Sequence, residues 1–193
     1  MRAELAGLPQ GWFHHGVQIL DLLDQHRPMT CVELGTWKGA SAIAIARLLA
    51  TWGGTLSCVD TFTGGVNGGR IAHLPKMLGE TANNVSVAGV ASRVRFIVTT
   101  TQDAAAAWAG PINFLYVDAD HTKPSVKADL TLWWPHLRPG GLIAGDDYDN
   151  PMYPGVVEAW DEFEQEQGQH FARVETPQTT PAGMRLIYGT KEV

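Results

Sequence analysis

Cysteine is scarce: the chain holds two, Cys31 and Cys58. Both sit inside apolar runs. That excludes a disulfide framework and a cysteine-based zinc centre, and it predicts two buried thiols. Positive charge is also in deficit. There are 14 Lys and Arg against 20 Asp and Glu, a net charge of -6, and the basic residues are scattered without a run. Nucleic acid is therefore not the expected partner, since phosphate binding needs a basic face. No apolar run approaches the ~20 residues of a membrane-spanning helix. Residues 1–8 lack the apolar stretch of a secretory signal. A soluble cytoplasmic protein is the expectation. Internal repeats and linker-like stretches are missing too. What remains is a globular composition, 45% hydrophobic and 18% charged over 193 residues, which suits a single domain 1–193 with one core.

Hydrophobic periodicity orders the elements. Residues 17–26 place Val17, Ile19, Leu20, Leu22 and Leu23 at the spacing of an amphipathic helix. Residues 30–34 read as a buried strand, 40–51 as a helix rich in Ala and Leu, and 55–60 as a second strand. A glycine-rich stretch, GGVNGG at 64–69, is long enough for a functional loop or lid. A helix over 75–88, a strand over 94–98, a short helix over 102–109 and a strand over 112–117 follow. Residues 123–137 read as a helix closed by Pro139-Gly140-Gly141, and 142–144 as a fifth strand. Residues 153–167 form a helix with Val156, Val157, Trp160 and Phe163 on one side; its acidic run 161–166 is expected to be a solvated face. Strands over 171–175 and 184–188 close the chain. The alternation predicts an α/β fold, a mainly parallel sheet with helices on both faces. Two consecutive strands at the end predict a hairpin carrying an antiparallel strand.

Ligands of open α/β sheets bind beyond the carboxyl ends of the strands, at the point where the strand order reverses. All five of the first strand exits carry a carboxylate, a distribution that packing alone would not need. After the first strand the pattern is E-x-G-x-x-x-G, from Glu33 through Gly35 to Gly39. A dinucleotide fingerprint would have glycine where Trp37 stands, so a pyrophosphate cradle, and with it a dehydrogenase, is disfavoured. The turn lets backbone approach a ligand while Glu33 supplies an acceptor. Asp60, ending the second strand, is placed to take a ribose diol. At the other exits, Asp118 and the Asp146-Asp147 doublet bring three carboxylates together. They would repel one another unless protons or a cation intervened, and oxygen donors favour Mg²⁺, or Mn²⁺ or Ca²⁺ in its place. The alternative is that the doublet merely caps a helix or a turn.

These stretches resemble the class I S-adenosylmethionine-dependent methyltransferases. VELGTWKGASAIAIARLL (32–49), TTTQDAAAAW (99–108), VDADH (117–121) and RPGGLIAGDDYD (138–149) are similar to motifs of the catechol and caffeoyl-CoA O-methyltransferase group. DTFTG (60–64) and YPGVVEAWDEF (153–163) are closer to the bacterial macrocin O-methyltransferase type. The resemblance implies a Rossmann-like methyltransferase fold with a seven-stranded, mostly parallel sheet whose last strand is antiparallel. It implies a cofactor site made of Glu33, Gly35, Thr36, Trp37, Gly39, Ser41, Asp60, Thr61, Phe62, Thr101, Gln102, Asp103, Asp118, Asp120 and His121. It implies a divalent metal, Mg²⁺ first, on Asp118, Asp146 and Asp147.

The implied reaction is O-methylation of a small hydroxylated acceptor, a catechol-like phenol or a sugar-bearing natural product. Asp118 and His121 are its candidate catalytic residues. His121 stands where some catechol-type enzymes carry a Lys, and an imidazole titrating near neutrality could serve as base; it could equally contact the cofactor or cap a helix. The N-terminal helical segment 1–28, with Trp12, His14 and His15, is expected to contribute to the acceptor side, as is His73 in the glycine-rich loop. Singly, each of these histidines reads more readily as a surface residue. Trp133 and Trp134 are expected to pack in the core. Two other readings stay open: a metal-independent N- or C-methyltransferase, and a non-catalytic nucleoside-binding module. A homodimer is also left open.

Overall fold

The computed structural model describes residues 2–9, 13–63, 76–175 and 184–192. The 64–69 loop, Trp12 and His73 lie outside the described residues. Among the described residues, seven strands and six α-helices follow one another, alternating as far as β6: α1 (Gly16–His26), β1 (Thr30–Leu34), α2 (Ala40–Leu49), β2 (Thr55–Asp60), α3 (Met77–Val87), β3 (Val94–Val98), α4 (Thr101–Ala107), β4 (Ile112–Val117), α5 (Lys123–Trp133), β5 (Leu137–Tyr148), α6 (Pro154–Gln167), β6 (Ala172–Glu175) and β7 (Arg185–Thr190). One sheet holds all seven strands in the order β3-β2-β1-β4-β5-β7-β6. β1 to β5 pair in parallel, and β7 runs antiparallel to both neighbours. This is the seven-stranded arrangement with an antiparallel last strand that the sequence predicts.

The period-two alternation of β4 shows how the sheet divides two cores. Phe114 and Tyr116 face α1 and α2, packing with Ile19, Leu23, Ile45 and Leu49. Leu115 and Val117 face the other way, onto Leu130 and Trp133 of α5 and Trp160 and Phe163 of α6. Both faces are covered, so β1 and β4 read as largely apolar runs, interrupted by Glu33 and Asn113. α2 is buried over nine of its ten residues, which is why its sequence is apolar apart from Ser41 and Arg47. Cys31 and Cys58 are free thiols buried in the α1–α2 core. Trp133 is fully buried, and Trp134 meets Phe163 and Phe171 edge-on; both tryptophans serve packing.

Several boundaries differ from the sequence reading, each for a physical reason. α5 stops at Trp133 and gives way to a 3-10 turn, Trp134–His136, instead of continuing to residue 137. Pro135 lacks an N–H and obstructs the carbonyl one turn back. α4 starts at Thr101 because Thr100 caps it, its hydroxyl accepting from the Asp103 amide. β5 is 12 residues long, not three. Leu137 already pairs with Ile112, and the Pro139-Gly140-Gly141 stretch forms an irregularity within the strand rather than its start. As a result Asp146 and Asp147 belong to β5 itself. The acidic side of α6 is not simply solvated. Lys123 pairs with Glu158 and Glu162, Lys127 with Glu166, and Arg173 with Asp161 and Glu164.

The strand order reverses between β1 and β4, with β2 and β3 on one side and β5 on the other, so the switch point lies beyond the carboxyl ends of β1 and β4. β5 is held against α6 by close contact at Gly145. A Cβ there would stand 2.5 Å from a ring carbon of Trp160. Gly145→Ala is therefore expected to destabilise the fold by about 1–3 kcal/mol, the usual cost of overpacking, read as a lowered urea midpoint with an unchanged slope.

Candidate functional site

A cavity of about 580 Å³ opens at the switch point. Its floor is the turn after β1. Gly35 takes φ +84, and a side chain there would collide with the backbone carbonyl of Asp118; only glycine lets the β1 and β4 exits come this close. The Gly35 amide donates to the Val59 carbonyl and the Asp118 amide to that of Leu34, which ties β1, β2 and β4 together at their ends. Trp37 and Gly39 also adopt positive φ, 49° and 86°, and Gly39 is the N-cap of α2.

Asp60 organises the rim. One carboxylate oxygen accepts from the Thr36 and Trp37 amides at 2.8 and 3.0 Å, and the other from the Phe62 amide at 2.7 Å. Asp60 lines the cavity with Gly35, Thr36, Trp37, Ser41 and Thr61. Glu33 does not line it. It lies fully buried beneath the turn, where Oε2 accepts from the Thr36 hydroxyl and Oε1 has no hydrogen-bond partner. Burial pushes its carboxyl up to about 7, only partly offset by hydrogen bonds from Ser41, Cys58 and Thr36. Gly39, Phe62 and Asp103 also stand outside the cavity lining. Phe62 turns inward, edge-on to Phe96, and Asp103 is engaged in the cap of α4.

Thr101 and Gln102, at the start of α4, and Asp120, after β4, line one end of the cavity, together with Ser125 and Asp129 of α5. Sequence reasoning missed Asp129. It is 1% exposed, its Oδ1 takes the Thr101 hydroxyl, and burial raises its carboxyl to about 7. The signal was present: Asp129 falls on the apolar stripe Val126, Leu130, Trp133 that α5 buries, where a carboxylate needs a reason. Asp120 caps the turn before α5 by accepting from the Thr122 amide.

The acidic cluster lies at the other end. Candidate ligand atoms of Asp118, His121 and Asp147 fall within 4.8 Å of one another. His121 Nε2 is 2.7 Å from Asp147 and 3.7 Å from Asp118, and its ring stacks on Tyr153 at 4.4 Å. Asp147 sits at φ +57, a strained value for a non-glycine residue, and takes an amide hydrogen from Asn150. Asp146 lines the cavity but faces different partners. It accepts from the Tyr116 hydroxyl and the Asp147 amide, and lies 3.1 Å from Nε2 of the fully buried His15. An imidazole, His121, thus joins the carboxylates that the sequence brings to these strand exits, and Asp146, in the same cavity, is near enough to Asp118 to repel it.

The electrostatics follow. Burial, then repulsion from Asp146, holds the Asp118 carboxyl well above its ordinary range. Burial works against charge on Asp147 as well, yet His121 and Asn150 keep its carboxyl below the usual value. For His121, burial disfavours the cation, but Asp118 and Asp147 outweigh it and push the imidazole up to about 10. The ring is therefore protonated at neutral pH in this state, not poised near neutrality. Beyond the cluster, Phe13, His14, Met77, Met152, Tyr153 and Met184 complete a largely apolar wall. His14 faces the cavity while its neighbour His15 is buried on Asp146.

With this geometry in view, comparisons with known proteins agree with one another. A family model described as a methyltransferase domain matches residues 32–148, from β1 to the end of β5. No curated protein matches the chain by sequence. Among solved structures, the O-methyltransferase TomG of Streptomyces achromogenes, involved in tomaymycin synthesis and bound to S-adenosylmethionine, superposes with a TM-score of 0.72 at 20% identity, over 97% of this chain and 84% of that one. An O-methyltransferase from Bacillus cereus bound to S-adenosylhomocysteine gives 0.71 at 20% identity, over 98% and 86%. The S-adenosylhomocysteine-bound methyltransferase PaMTH1 of Podospora anserina gives 0.64 at 17% identity, over 90% and 76%. Likeness at these identities is a likeness of fold. The family match spans more than half of the 193 residues, and the chain belongs to the methyltransferase domain family, on the class I S-adenosylmethionine-dependent methyltransferase fold.

Proposed function

We propose that the protein transfers a methyl group from S-adenosylmethionine to a hydroxyl of a small acceptor, with a divalent cation at the acidic cluster. One observation carries the reading: Asp60 and the Asp118–His121–Asp147 cluster face the same cavity. A nucleoside-bearing donor and a polar acceptor could therefore meet within it. Asp60 would bind the ribose diol through its remaining lone pairs, and the glycine turn would admit the donor's backbone-length tail. Ser41 and Thr36 would line its course. The structural neighbours named as O-methyltransferases support transfer to oxygen, and the net charge of -6 supports a small acceptor over nucleic acid.

The donor set suits a hard divalent cation such as Mg²⁺, because two carboxylates that repel each other converge on one point. Asp118 and Asp147 would hold it, with His121 beside them and Asp146 behind. Such a cation would fix the acceptor oxygen and lower its pKa. The chain's own residues supply the remainder. Charge held between Asp118 and Asp147 would weaken their pull on His121, whose Nε2 would be the group placed to take the acceptor proton. Tyr153 holds the ring in plane through their stack. As the O–CH₃ bond forms, the S–CH₃ bond breaks and a neutral thioether leaves. Alignment of the two reactants accounts for most of the acceleration. A metal-independent methyltransferase is the second reading, favoured by the His121–Asp147 contact, which balances charge without a cation.

Asp60→Ala should weaken S-adenosylhomocysteine binding by about tenfold or more by calorimetry, the cost of a charged hydrogen-bond acceptor, with an unchanged circular dichroism spectrum. EDTA should abolish methylation of hydroxylated acceptors and added Mg²⁺ restore it; turnover indifferent to EDTA would favour the second reading. His121→Ala should lower kcat by roughly 10²–10⁴, the range for losing a general base, and leave S-adenosylhomocysteine affinity within about threefold, a change too small for a lost hydrogen bond.

A further inference from the structure

We propose that Asp129 selects the purine of the cofactor, its Oδ2 accepting a hydrogen bond from the 6-amino group of adenine. The inference rests on the S-adenosylmethionine reading above and adds to it the residue that tells an amino purine from an oxo purine.

Asp129 is the cavity-lining carboxylate farthest along α5, and it is 1% exposed. Its single hydrogen bond is at Oδ1, from the Thr101 hydroxyl. Among the described residues no cation faces it; the other charge it senses is Asp120, which repels it. A buried carboxylate with one oxygen unmatched is costly unless something completes it. A structural role accounts for Oδ1 alone. Through that bond Asp129 steadies the first residue of α4, whose carbonyl also takes the indole N–H of Trp133 at 3.1 Å. Oδ2 is left over, at the wall of the cavity.

The position fits a nucleobase. Asp60 ends β2 and suits the ribose, while the acidic cluster at Asp118, His121 and Asp147 marks the reacting end. The base then has to extend the other way, into the space between the starts of α4 and α5. That space is bounded by Thr101, Gln102, Ser125 and Asp129. The edge that an adenine would present there carries a donor at position 6. When ionised, Asp129 is an acceptor only, so it matches the amino group and opposes the carbonyl of a 6-oxo purine; burial raises its carboxyl to about 7, so the discrimination belongs to the pH range above that value. Sites built around a buried polar group reject the analogue that leaves it unpaired far more strongly than apolar pockets reject a methyl.

The test compares S-adenosylhomocysteine with S-inosylhomocysteine, which differs by the 6-oxo group, by isothermal titration calorimetry on the full chain. The wild-type protein should bind the adenosyl compound at least ~10-fold more tightly, the discrimination of a buried polar contact. In Asp129→Asn the amide can present either its oxygen or its nitrogen, so the two affinities should converge to within ~3-fold. Equal affinities in the wild type overturn the assignment, without any need for the variant to fold. A gap that persists in Asp129→Asn overturns it as well. If neither nucleoside binds the wild type, the cofactor reading itself falls and the inference falls with it.

Discussion

The contact of Gly35 with the backbone of Asp118 is the constraint on which the site depends. It brings the exits of β1 and β4 together so closely that no side chain fits between them. Hydrogen bonds from the Gly35 and Asp118 amides to neighbouring strands fix the approach. Everything that could act on a ligand is hung from this junction: Asp60 across the turn, Asp118 and His121 just beyond it, and Asp146 and Asp147 from the next strand. The sheet is covered on both faces, with Asp60, Asp146 and Asp147 on its strands and Asp118 and His121 in the short connection that follows β4.

The site gathers carboxylates that the interior would otherwise reject, and each is handled differently. Glu33 is partly discharged by burial. Asp147 keeps its charge by borrowing that of His121. Asp146 is shared between a phenol and a buried imidazole. Asp118 and Asp147, neighbours in the cavity, are shifted in opposite directions by these surroundings, which is how a single fold can keep adjacent acids in different protonation states. Positive φ at Trp37, Phe62, Asp147 and Asp149 shows local backbone strain concentrated around the same rim.

Much of this was legible in the sequence, and the reason is periodicity. The largely apolar runs of β1 and β4, the Ala- and Leu-rich α2 and the glycine spacing after Glu33 are local patterns, and the structure repeats them. The cavity-lining positions of Asp60, Asp118, Asp120 and Asp147 could be read because they follow strand ends. What escaped were matters of tertiary distance. No local pattern says that His15 reaches Asp146, or that His121 joins Asp118 and Asp147. Pro139-Gly140-Gly141 disguised the true length of β5, since a bulge and a turn use the same residues. Glu33 looked like a ligand because it ends a strand, yet one residue of offset in the turn places it under the floor. Asp129 was overlooked because a single acid on a helix is ordinary until its neighbours on the stripe are counted.

The burial of His15 on Asp146 joins the chain's beginning to its reaction chamber. Peeling residues 13–15 from the body would leave Asp146 with only the Tyr116 hydroxyl and the Asp147 amide, and remove Phe13 from Tyr116 in the same motion. Fraying of this segment and loss of the chamber's electrostatic order are therefore one event, not two. The N-terminal strap behaves as a keystone rather than a fringe: amide exchange there should report on the integrity of the far wall.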